Sequence, residues 1–295
     1  HEDDGVTWIH TTYKDQVEIA FPHLTAKNAS AAIDHVVRRV RRLPVKRFAC
    51  WSLSPSQPRE LGAILVARGF GWSWRPRWMW LDMRRLNTDH PKPDGVRVEL
   101  VGDGDVWDIG DLPYYNRAEA EGWRVLNNAA PRRNWQVVAR LDGEVVGHTK
   151  VLTTAGKLGI AGIYNVGVRS AYRGRGIGKA VIGAALQHAK DMGCGHATLN
   201  GTGGTVYRQL GFELIGYGQT WVCRDALSKR YPSKQQVEYV EAIGRQDTAT
   251  LERLAKRMSR ASLNRPLASG MTPMQLAAEM GAKRAQQWLV DRLNT

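Results

Sequence analysis

The sequence is poor in cysteine and has no long apolar run. Its 295 residues include three cysteines, Cys50, Cys194 and Cys223, which lie far apart. This scatter excludes the disulfide framework of small secreted domains and matches no zinc-binding spacing. No apolar stretch approaches the roughly 18 residues that span a membrane, and the acidic first residues predict no signal peptide. We therefore expect a cytoplasmic protein with no metal and no membrane association.

Acidic residues are fewer than basic ones. The chain has 42 lysine and arginine residues against 28 aspartate and glutamate residues, a formal net charge of +14. The densest basic run, residues 38–47, lies on a predicted helix with an apolar stripe, which favours a solvated helix face. Nucleic-acid contact is the less favoured alternative, because no nucleic-acid-binding motif accompanies the run. A polyanionic ligand would benefit from the same positive field.

One stretch combines a strand, a basic glycine-rich turn and a helix. Residues 163–168 carry apolar residues of strand type, and the turn Arg173–Gly178 reads Arg-Gly-Arg-Gly-Ile-Gly. Apolar residues then recur at helical spacing, and Gly193 stands where a helix C-cap belongs. Such a turn presents backbone N–H groups at a helix N-terminus, where the dipole and nearby cations favour a phosphate. The stretch predicts a pyrophosphate site.

The glycine spacing in this turn excludes two common nucleotide-binding motifs. A dinucleotide-binding fingerprint that starts at Gly174 needs a glycine where Lys179 stands. A P-loop needs Ser or Thr directly after Lys179, where Ala180 stands. An ordinary strand-to-helix turn, with glycines only for tightness, is the alternative to a ligand-binding loop.

The turn resembles the acyl-CoA loop of the GNAT (GCN5-related) N-acetyltransferases, written Gln/Arg-x-x-Gly-x-Gly/Ala. Arg173, Gly176 and Gly178 occupy its fixed places. A second segment resembles the end of the same domain, because Asn200 is followed seven residues later by Tyr207 and then by Gly-Phe. In the family, this asparagine contacts the pantetheine arm and this tyrosine protonates the departing CoA thiolate.

The resemblance implies acetyl-CoA as cosubstrate. A tyrosine suits proton donation to sulfur because its O–H can meet a developing negative charge; the alternative for Tyr207 is a ring that only packs on the sheet. The segment 201–205 is small and flexible for the family pattern, and another alignment makes Asn200 a strand residue without cofactor contact. By resemblance, the cofactor-binding residues are Val166, Gly167, Val168, Arg173, Gly174, Arg175, Gly176, Ile177, Gly178, Lys179, Asn200 and Tyr207.

Direct attack of an amine on a thioester needs a base, oxyanion donors and an acid. By resemblance, the backbone at 166–168 supplies the oxyanion contact. Carboxylates at 103, 105, 108, 111, 119 and 121 would suit a cationic amine, or they are ordinary helix charge placement. Candidates for the base are Glu119, Glu121, Asp111 and His148; no motif supports any of them, and we select Glu119 and Glu121 as catalytic together with Tyr207.

The length suggests more than one domain. Residues 47–83 read strand, helix, Gly-Phe and tryptophan-rich strand, an order that echoes residues 199–221, so residues 1–88 resemble a degenerate GNAT-like domain without the glycine-rich loop. Its tryptophans at 72, 74, 78 and 80 are expected to line one sheet face; an aromatic acceptor pocket is the alternative. Residues 95–228 form the predicted catalytic domain, with strands at 96–101, 134–141, 145–152, 196–200 and 213–222, a helix at 103–116 and a helix-loop at 119–123.

Residues 236–295 resemble ankyrin repeats. The segment Gly270–Gly281 follows the pattern Gly-x-Thr-Pro-Leu-His-x-Ala-Ala-x-x-Gly, with Met274 and Gln275 in place of Leu and His. About two repeats are fewer than the three or so that usually hold together alone. We therefore expect the segment to dock on the acetyltransferase body, which leaves part of its surface for a protein partner.

The predicted fold class is α/β, a GNAT-type mixed sheet flanked by helices, in tandem, with an all-α ankyrin-like segment. The favoured function is transfer of the acetyl group of acetyl-CoA to a primary amine of a small molecule. One alternative is an acetyltransferase for a protein or RNA-linked amine, recruited through the ankyrin-like repeats. The other is a non-catalytic CoA-binding interaction protein.

Overall fold

The structure, a computed structural model, describes residues 1–12, 15–91, 93–101, 109–128, 130–154, 158–224 and 231–294. Its strands are β1 (Glu2–Asp3), β2 (Val6–Thr11), β3 (Gln16–Ala20), β4 (Arg47–Ser54), β5 (Gly71–Trp74), β6 (Arg77–Asp82), β7 (Val96–Val101), β8 (Asn134–Leu141), β9 (Glu144–Thr153), β10 (Ile160–Val168), β11 (His196–Gly201) and β12 (Glu213–Arg224). Its helices are α1 (Ala29–Val40), α2 (Leu61–Val66), α3 (Arg117–Asn127), α4 (Ile177–Asp191), α5 (Gly204–Gln209), α6 (Lys234–Arg245), α7 (Thr248–Ala255), α8 (Arg260–Asn264), α9 (Pro273–Glu279) and α10 (Lys283–Asn294).

The chain forms two compact units. Residues 76–216 make one, the central unit, and residues 1–75 together with 217–295 make the other, the composite unit. The first and third predicted segments therefore fold largely together. The predicted segments 1–88, 95–228 and 236–295 are divisions of the sequence and stay predictions; position 228 lies outside the described residues.

The central unit is built on a mixed sheet in the order β6-β11-β10-β9-β8-β7. Strands β10 and β11 are parallel, and the other neighbours are antiparallel. The β8–β9 hairpin turns at Asp142 and Gly143, both at positive φ, as predicted. Helix α4 buries one apolar stripe against the sheet, because residues such as Val181 and Leu186 recur at helical spacing. This confirms the mixed α/β fold with flanking helices.

The predicted helix at 103–116 is wrong over its described part. Residues 109–116 form turns, and helix α3 begins only at Arg117. The reason is local, since the Asn116 side chain accepts the backbone N–H of Glu119 at 2.9 Å and acts as an N-cap. Residues 102–108, including the predicted carboxylates at 103, 105 and 108, lie outside the described residues.

In the composite unit the strands pair in the order β1-β2-β3-β4-β12, with β5 also paired to β12, and β12 contributes residues 217–224. Strands β3 and β4 are parallel and are connected by α1. Helix α1 buries the predicted apolar stripe, including Ile33, Val36 and Val40. Its arginines lie on the outer side, and Arg38 forms an ion pair with Asp34.

The tryptophan-rich stretch is two strands, and the prediction of one continuous strand is wrong. Pro76 separates β5 from β6 and has no N–H to donate to a ladder. Strand β5 pairs with β12 in the composite unit, and β6 pairs with β11 in the central unit. The four tryptophans are therefore divided between the units. Strand β12 likewise does not simply complete the catalytic sheet, because its residues 217–224 pair with β4.

The C-terminal helices pack on the N-terminal segment within the composite unit. Gly244 of α6 lies against Ala63 of α2, so closely that a Cβ at 244 would be 2.3 Å from the Ala63 Cβ. The buried Arg68 guanidinium pairs with Glu241 of α6 at 2.8 Å and with Asp34 of α1 at 2.7 Å. The segment thus docks within its own chain, on residues 1–75.

Helix α9 begins as its sequence predicts. Thr272 is the N-cap and Pro273 the first helical residue, and Thr272 and Gln275 form a capping box. The ankyrin resemblance itself stays a prediction. Among the described residues, no helix is long and apolar enough to cross a membrane.

Candidate active site

The two parallel strands of the central unit part midway. Strand β10 pairs with β11 only from Ile160 to Gly162, opposite His196–Thr198. Beyond this point β11 continues beside β6, and no ladder among the described residues joins it to the rest of β10. Backbone groups on this edge of β10 therefore lack a strand partner and are available to a ligand. The predicted residues Val166, Gly167 and Val168 lie on this edge.

A bulge redirects the end of β10. The register with β9 shifts between Tyr164 and Gly167, and Asn165 has a φ of 52°. This left-handed conformation is one that asparagine tolerates better than most residues. A Cβ at Gly167 would lie 2.6 Å from the Pro113 carbonyl oxygen and 3.0 Å from His148 Nε2. Only glycine fits there, so this close approach explains the glycine between Val166 and Val168.

The glycine-rich turn is open towards solvent. Gly174 and Gly176 have φ values of 80° and 81°, and Gly176 directly precedes α4. A Cβ at Gly174 would meet nothing within 4 Å. The 15-residue helix α4 therefore presents the free N–H groups of its first turn at an unobstructed surface. Gly147 fixes this helix end, because it lets the Ile177 side chain pack on β9.

Three cations surround the turn. Arg173 Nε donates to the Val168 carbonyl oxygen at 3.2 Å, and the Arg175 guanidinium stacks 5.5 Å from the Tyr172 ring centroid. Both arginines are exposed, and Lys179 is half-buried in the first turn of α4. In the described part of the chain, none of the three pairs with a carboxylate. Positive charge, free N–H groups and open space together fit a pyrophosphate.

Tyr207 lies on the short helix α5 with its hydroxyl against the backbone of β11. A Cβ at Gly201 would lie 3.3 Å from the Tyr207 hydroxyl oxygen, and the ring packs edge-on against Phe212. Gly201 therefore makes room for the tyrosine. Burial raises the pKa of Tyr207, and the neighbouring Tyr114 raises it further. The hydroxyl consequently keeps its proton at neutral pH.

The two predicted catalytic glutamates face different surroundings. Glu119 Oε2 accepts a hydrogen bond from Asn165 Nδ2, at the bulge of β10, with a donor–acceptor distance of 3.3 Å. Glu121 is exposed and forms an ion pair with Arg124, one turn along α3. The structure therefore brings Glu119 to the bulge and leaves Glu121 on the outer side of the helix.

The other two base candidates are engaged elsewhere. His148 is fully buried, and its Nε2 lies 2.7 Å from the Pro113 carbonyl oxygen, to which it donates. Burial lowers the pKa of His148 to about 4, so the ring is neutral at pH 7 and holds the loop at Pro113. Asp111 forms an ion pair with Arg169 at 2.9 Å.

The model of the GNAT acetyltransferase family matches residues 104–212. The chain contains a GNAT acetyltransferase domain. Among solved structures, it is similar to a GCN5-related N-acetyltransferase from Kribbella flavida, with 18% identity, 70% of this chain and 80% of that chain covered, and a TM-score of 0.52. No curated protein matches the chain.

Two further solved structures share the fold. A tandem GNAT protein from the clavulanic acid biosynthesis pathway has 17% identity, with 73% of this chain and 77% of that chain covered and a TM-score of 0.51. A GCN5-related N-acetyltransferase from Sphaerobacter thermophilus has 17% identity, with 74% and 76% covered and a TM-score of 0.52. At these identities the likeness shows the fold alone.

The predicted cofactor residue Asn200 lies on a strand. Asn200 is a half-buried residue of β11, paired in register with Trp78 of β6. It is thus a strand residue, as the alternative alignment had it, and its contact with pantetheine stays a prediction. The described residues of the chain contain no group of three or more His, Cys, Asp or Glu residues that could hold a metal ion.

Sequence reasoning missed the aromatic wall beside Glu119. Trp123 of α3 and Tyr164 of β10 have ring centroids 5.6 Å apart, and Lys150 Nζ lies 4.8 Å from the Trp123 ring centroid. Lys150 is only 4% exposed. The available signal was His148 and Lys150, two polar residues in a strand that is otherwise largely apolar. Asn165 had no signal, because its role depends on the bulge.

Proposed function

We propose that the chain is an N-acetyltransferase that transfers the acetyl group of acetyl-CoA to a primary amine of a small molecule. One observation carries the proposal: β10 loses its β11 partner after Gly162 and then leads into the open turn before α4. A single surface therefore offers an unpaired strand edge and a helix N-terminus with cations. These are the two features that an extended acyl thioester with a pyrophosphate needs.

Different residues of this surface would contact different parts of acetyl-CoA. The N–H groups of the turn Arg173–Gly178 would hold the pyrophosphate, with Arg173, Arg175 and Lys179 adding charge-assisted contacts. The free edge at Val166–Val168 would take the pantetheine amides and the thioester carbonyl oxygen. Acetyl-CoA supplies the acetyl group as a thioester, which an amine attacks directly.

Glu119 and Tyr207 are suited to two of the proton transfers. Glu119 Oε2 would take one proton from the acceptor ammonium, and the resulting amine forms the new C–N bond. As the C–S bond breaks, the nitrogen would lose its second proton to solvent, and the Tyr207 hydroxyl would give its proton to the thiolate sulfur and regain one from solvent. Burial favours this role, because it raises the pKa of the phenol and keeps the proton in place until sulfur develops charge.

The surroundings of Glu119 support a small acceptor. Trp123 and Tyr164 provide an aromatic wall, and the carboxylate of Glu119 supplies a negative charge for an ammonium group. A protein or RNA-linked amine recruited by the C-terminal helices is less well supported. Much of the apolar surface of these helices is buried against residues 1–75, as the packing of Gly244 on Ala63 shows.

We also propose that residues 1–75 derive from a second GNAT-like copy that binds no cosubstrate. Strand β3, helix α1 and parallel strand β4 follow one another as β10, α4 and β11 do. The similar protein from the clavulanic acid biosynthesis pathway is itself a tandem GNAT protein, which agrees with such an arrangement.

A thiol-release assay with acetyl-CoA tests the activity against small primary amines and against lysine-containing peptides. We expect release with at least one small amine, and a loss of about 10²-fold in turnover in Glu119→Gln, the scale of a lost general base. Glu121→Gln is the matched control, two residues along the same helix, and should keep its activity. Release with peptides alone would favour the protein-amine alternative. CoA binding without release from any amine would leave the non-catalytic alternative.

A further inference from the structure

The composite unit contains a cavity that acetyl transfer does not use. Its volume is about 830 Å³, within the range of sites that hold small organic ligands. The floor is apolar and comes from three parts of the unit: Val66 and Ala67 at the end of α2, Tyr239 and Val240 of α6, and Leu267 before α9. Every lining residue belongs to the composite unit.

The rim of the cavity is basic. Arg257 and Arg265 line it, and both are exposed. The lining set, which consists of described residues, contains no aspartate or glutamate, and neither arginine forms an ion pair within the described part of the chain. Two cations thus face one cavity without a neutralising carboxylate.

Other arginines of the same helical segment behave differently. Arg245, Arg253 and Arg292 pair with Glu241, Glu238 and Glu252 respectively. Carboxylates are therefore close to most of the segment but are missing from the lining of the cavity. Hydroxyl and amide groups replace them there, including Ser259, Ser262 and Gln235. Such groups can bind an anion without repelling it.

We propose that this cavity binds a small organic anion with an apolar body, whose carboxylate or phosphate group is held by Arg257 and Arg265. The planar guanidinium group presents a fork of donors that matches either anion. The apolar body would cover Val66, Tyr239 and Leu267 on the floor. This site is independent of the acetyl-CoA site, because all of its residues lie outside the GNAT family match at 104–212.

Calorimetric titration of the full chain with four probes tests the proposal: octanoate, octyl phosphate, octanol and inorganic phosphate. We expect octanoate or octyl phosphate to bind and to raise the melting temperature, because a ligand that prefers the folded state stabilises it. Comparison of these two probes shows which anionic group the site prefers. Equal binding by octanol would overturn the role of charge, and equal binding by inorganic phosphate would overturn the role of the floor.

Paired charge-removing variants locate the site. Arg257→Gln with Arg265→Gln should weaken binding of the anionic probe at least tenfold, the effect of a lost charge-assisted hydrogen bond. Lys256→Gln with Arg260→Gln removes the same charge from neighbouring residues outside the lining and should bind normally. Equal weakening in both pairs would mean a diffuse field and would refute the site. Acetyl-CoA affinity should stay unchanged in both, which separates this outcome from any failure of the proposed acetyl transfer.

Discussion

Two regions of the molecule share one topology and differ in what they can hold. In the composite unit, β3 and β4 are parallel and α1 connects them; in the central unit, β10 and β11 are parallel and α4 connects them. The first pair stays closed to its end, because Ala20 is in register with Trp51 and the Phe21 N–H donates to the Trp51 carbonyl oxygen at 2.9 Å. The second pair separates after Gly162.

The loop before α1 is closed, whereas the turn before α4 is open. Residues 21–28 contain no glycine, and Thr25 and Asn28 exchange side-chain and backbone hydrogen bonds that close the loop on itself. The turn before α4 instead holds Gly174 and Gly176 at positive φ, with open space around Gly174. The strand–helix–strand order alone therefore does not make a phosphate site. An unpaired edge and an open turn are needed as well.

The largest effect, on acetyl-CoA affinity, is expected from removing a glycine from the turn before α4, so that it resembles the loop before α1. Gly176→Val places a branched side chain at a φ of 81° and obstructs the N–H groups before α4. Loss of two charge-assisted hydrogen bonds, each about 1.5–3 kcal/mol, should weaken acetyl-CoA binding by roughly 10²–10⁴-fold in calorimetry. Gly143→Val controls for backbone strain, because Gly143 has a φ of 83° in the β8–β9 turn. Unchanged CoA affinity in Gly176→Val would remove the cosubstrate site from this loop.

A large effect on stability is expected in the composite unit, where the strand pair stays closed and the loop before α1 has no glycine. Arg68→Met leaves Asp34 and Glu241 without the guanidinium that bonds both. Removing one partner from such a buried network costs about 3–5 kcal/mol. The midpoint of chemical denaturation should fall accordingly, whereas the exposed Arg59→Met should leave it unchanged. Equal stability of the two variants would show that the C-terminal helices do not depend on this contact.

A smaller effect, on turnover alone, is expected at Tyr207. Tyr207→Phe keeps the ring against Phe212 but removes the proton donor. Turnover should fall about 10²-fold, with acetyl-CoA affinity unchanged. Tyr217→Phe, in the composite unit, serves as the control. Normal turnover in Tyr207→Phe would assign the residue a packing role only, and the central unit would then lose its proposed acid.

The smallest effect concerns pH. Burial lowers the pKa of His148 to about 4 from an ordinary value of 6.5, so the unfolded chain binds the proton more tightly. The stability that neutral His148 contributes is therefore present above about pH 6.5 and is lost as the pH falls towards 4. Nearby Lys150 lowers this pKa further and Glu119 opposes the shift. Between pH 7 and 5 the loss should be about 2 kcal/mol.

Thermal melts at the two pH values check this expectation. His148→Gln should melt with a smaller difference between pH 7 and 5 than the unaltered chain, since the titrating group is gone. The exposed His23→Gln should keep the full difference. If His148→Gln keeps it too, the acid sensitivity arises from other groups, and the buried ring does not distinguish the central unit from the composite one.

The sequence predicts local features of the central unit well, because they depend on neighbouring residues. The Asp142-Gly143 hairpin, the basic glycine turn and the stripe of α4 all have short-range signals and are found as predicted. The choice between Glu119 and Glu121 has no such signal. Both lie on α3, and the contact that brings Glu119 to the bulge is made with Asn165, 46 residues away. Strand pairing cannot be predicted for the same reason, since no residue near Trp80 in the sequence indicates that β6 pairs with β11.

The composite unit is formed by two segments that are far apart in the sequence, and this affects its folding during translation. Residues 76–216 leave the ribosome before residues 217–295, which the first 75 residues need to complete their own unit. At roughly 5–20 residues per second, the N-terminal segment waits for about 8–35 s until Glu241 and Gly244 are made. During this interval Arg68 has no Glu241, and Ala63 has no Gly244 to cover it. Until residues 217–295 have been made, the nascent chain therefore exposes the apolar helix α2 and holds the Arg68 guanidinium through Asp34 alone, and this is the interval in which a chaperone would bind.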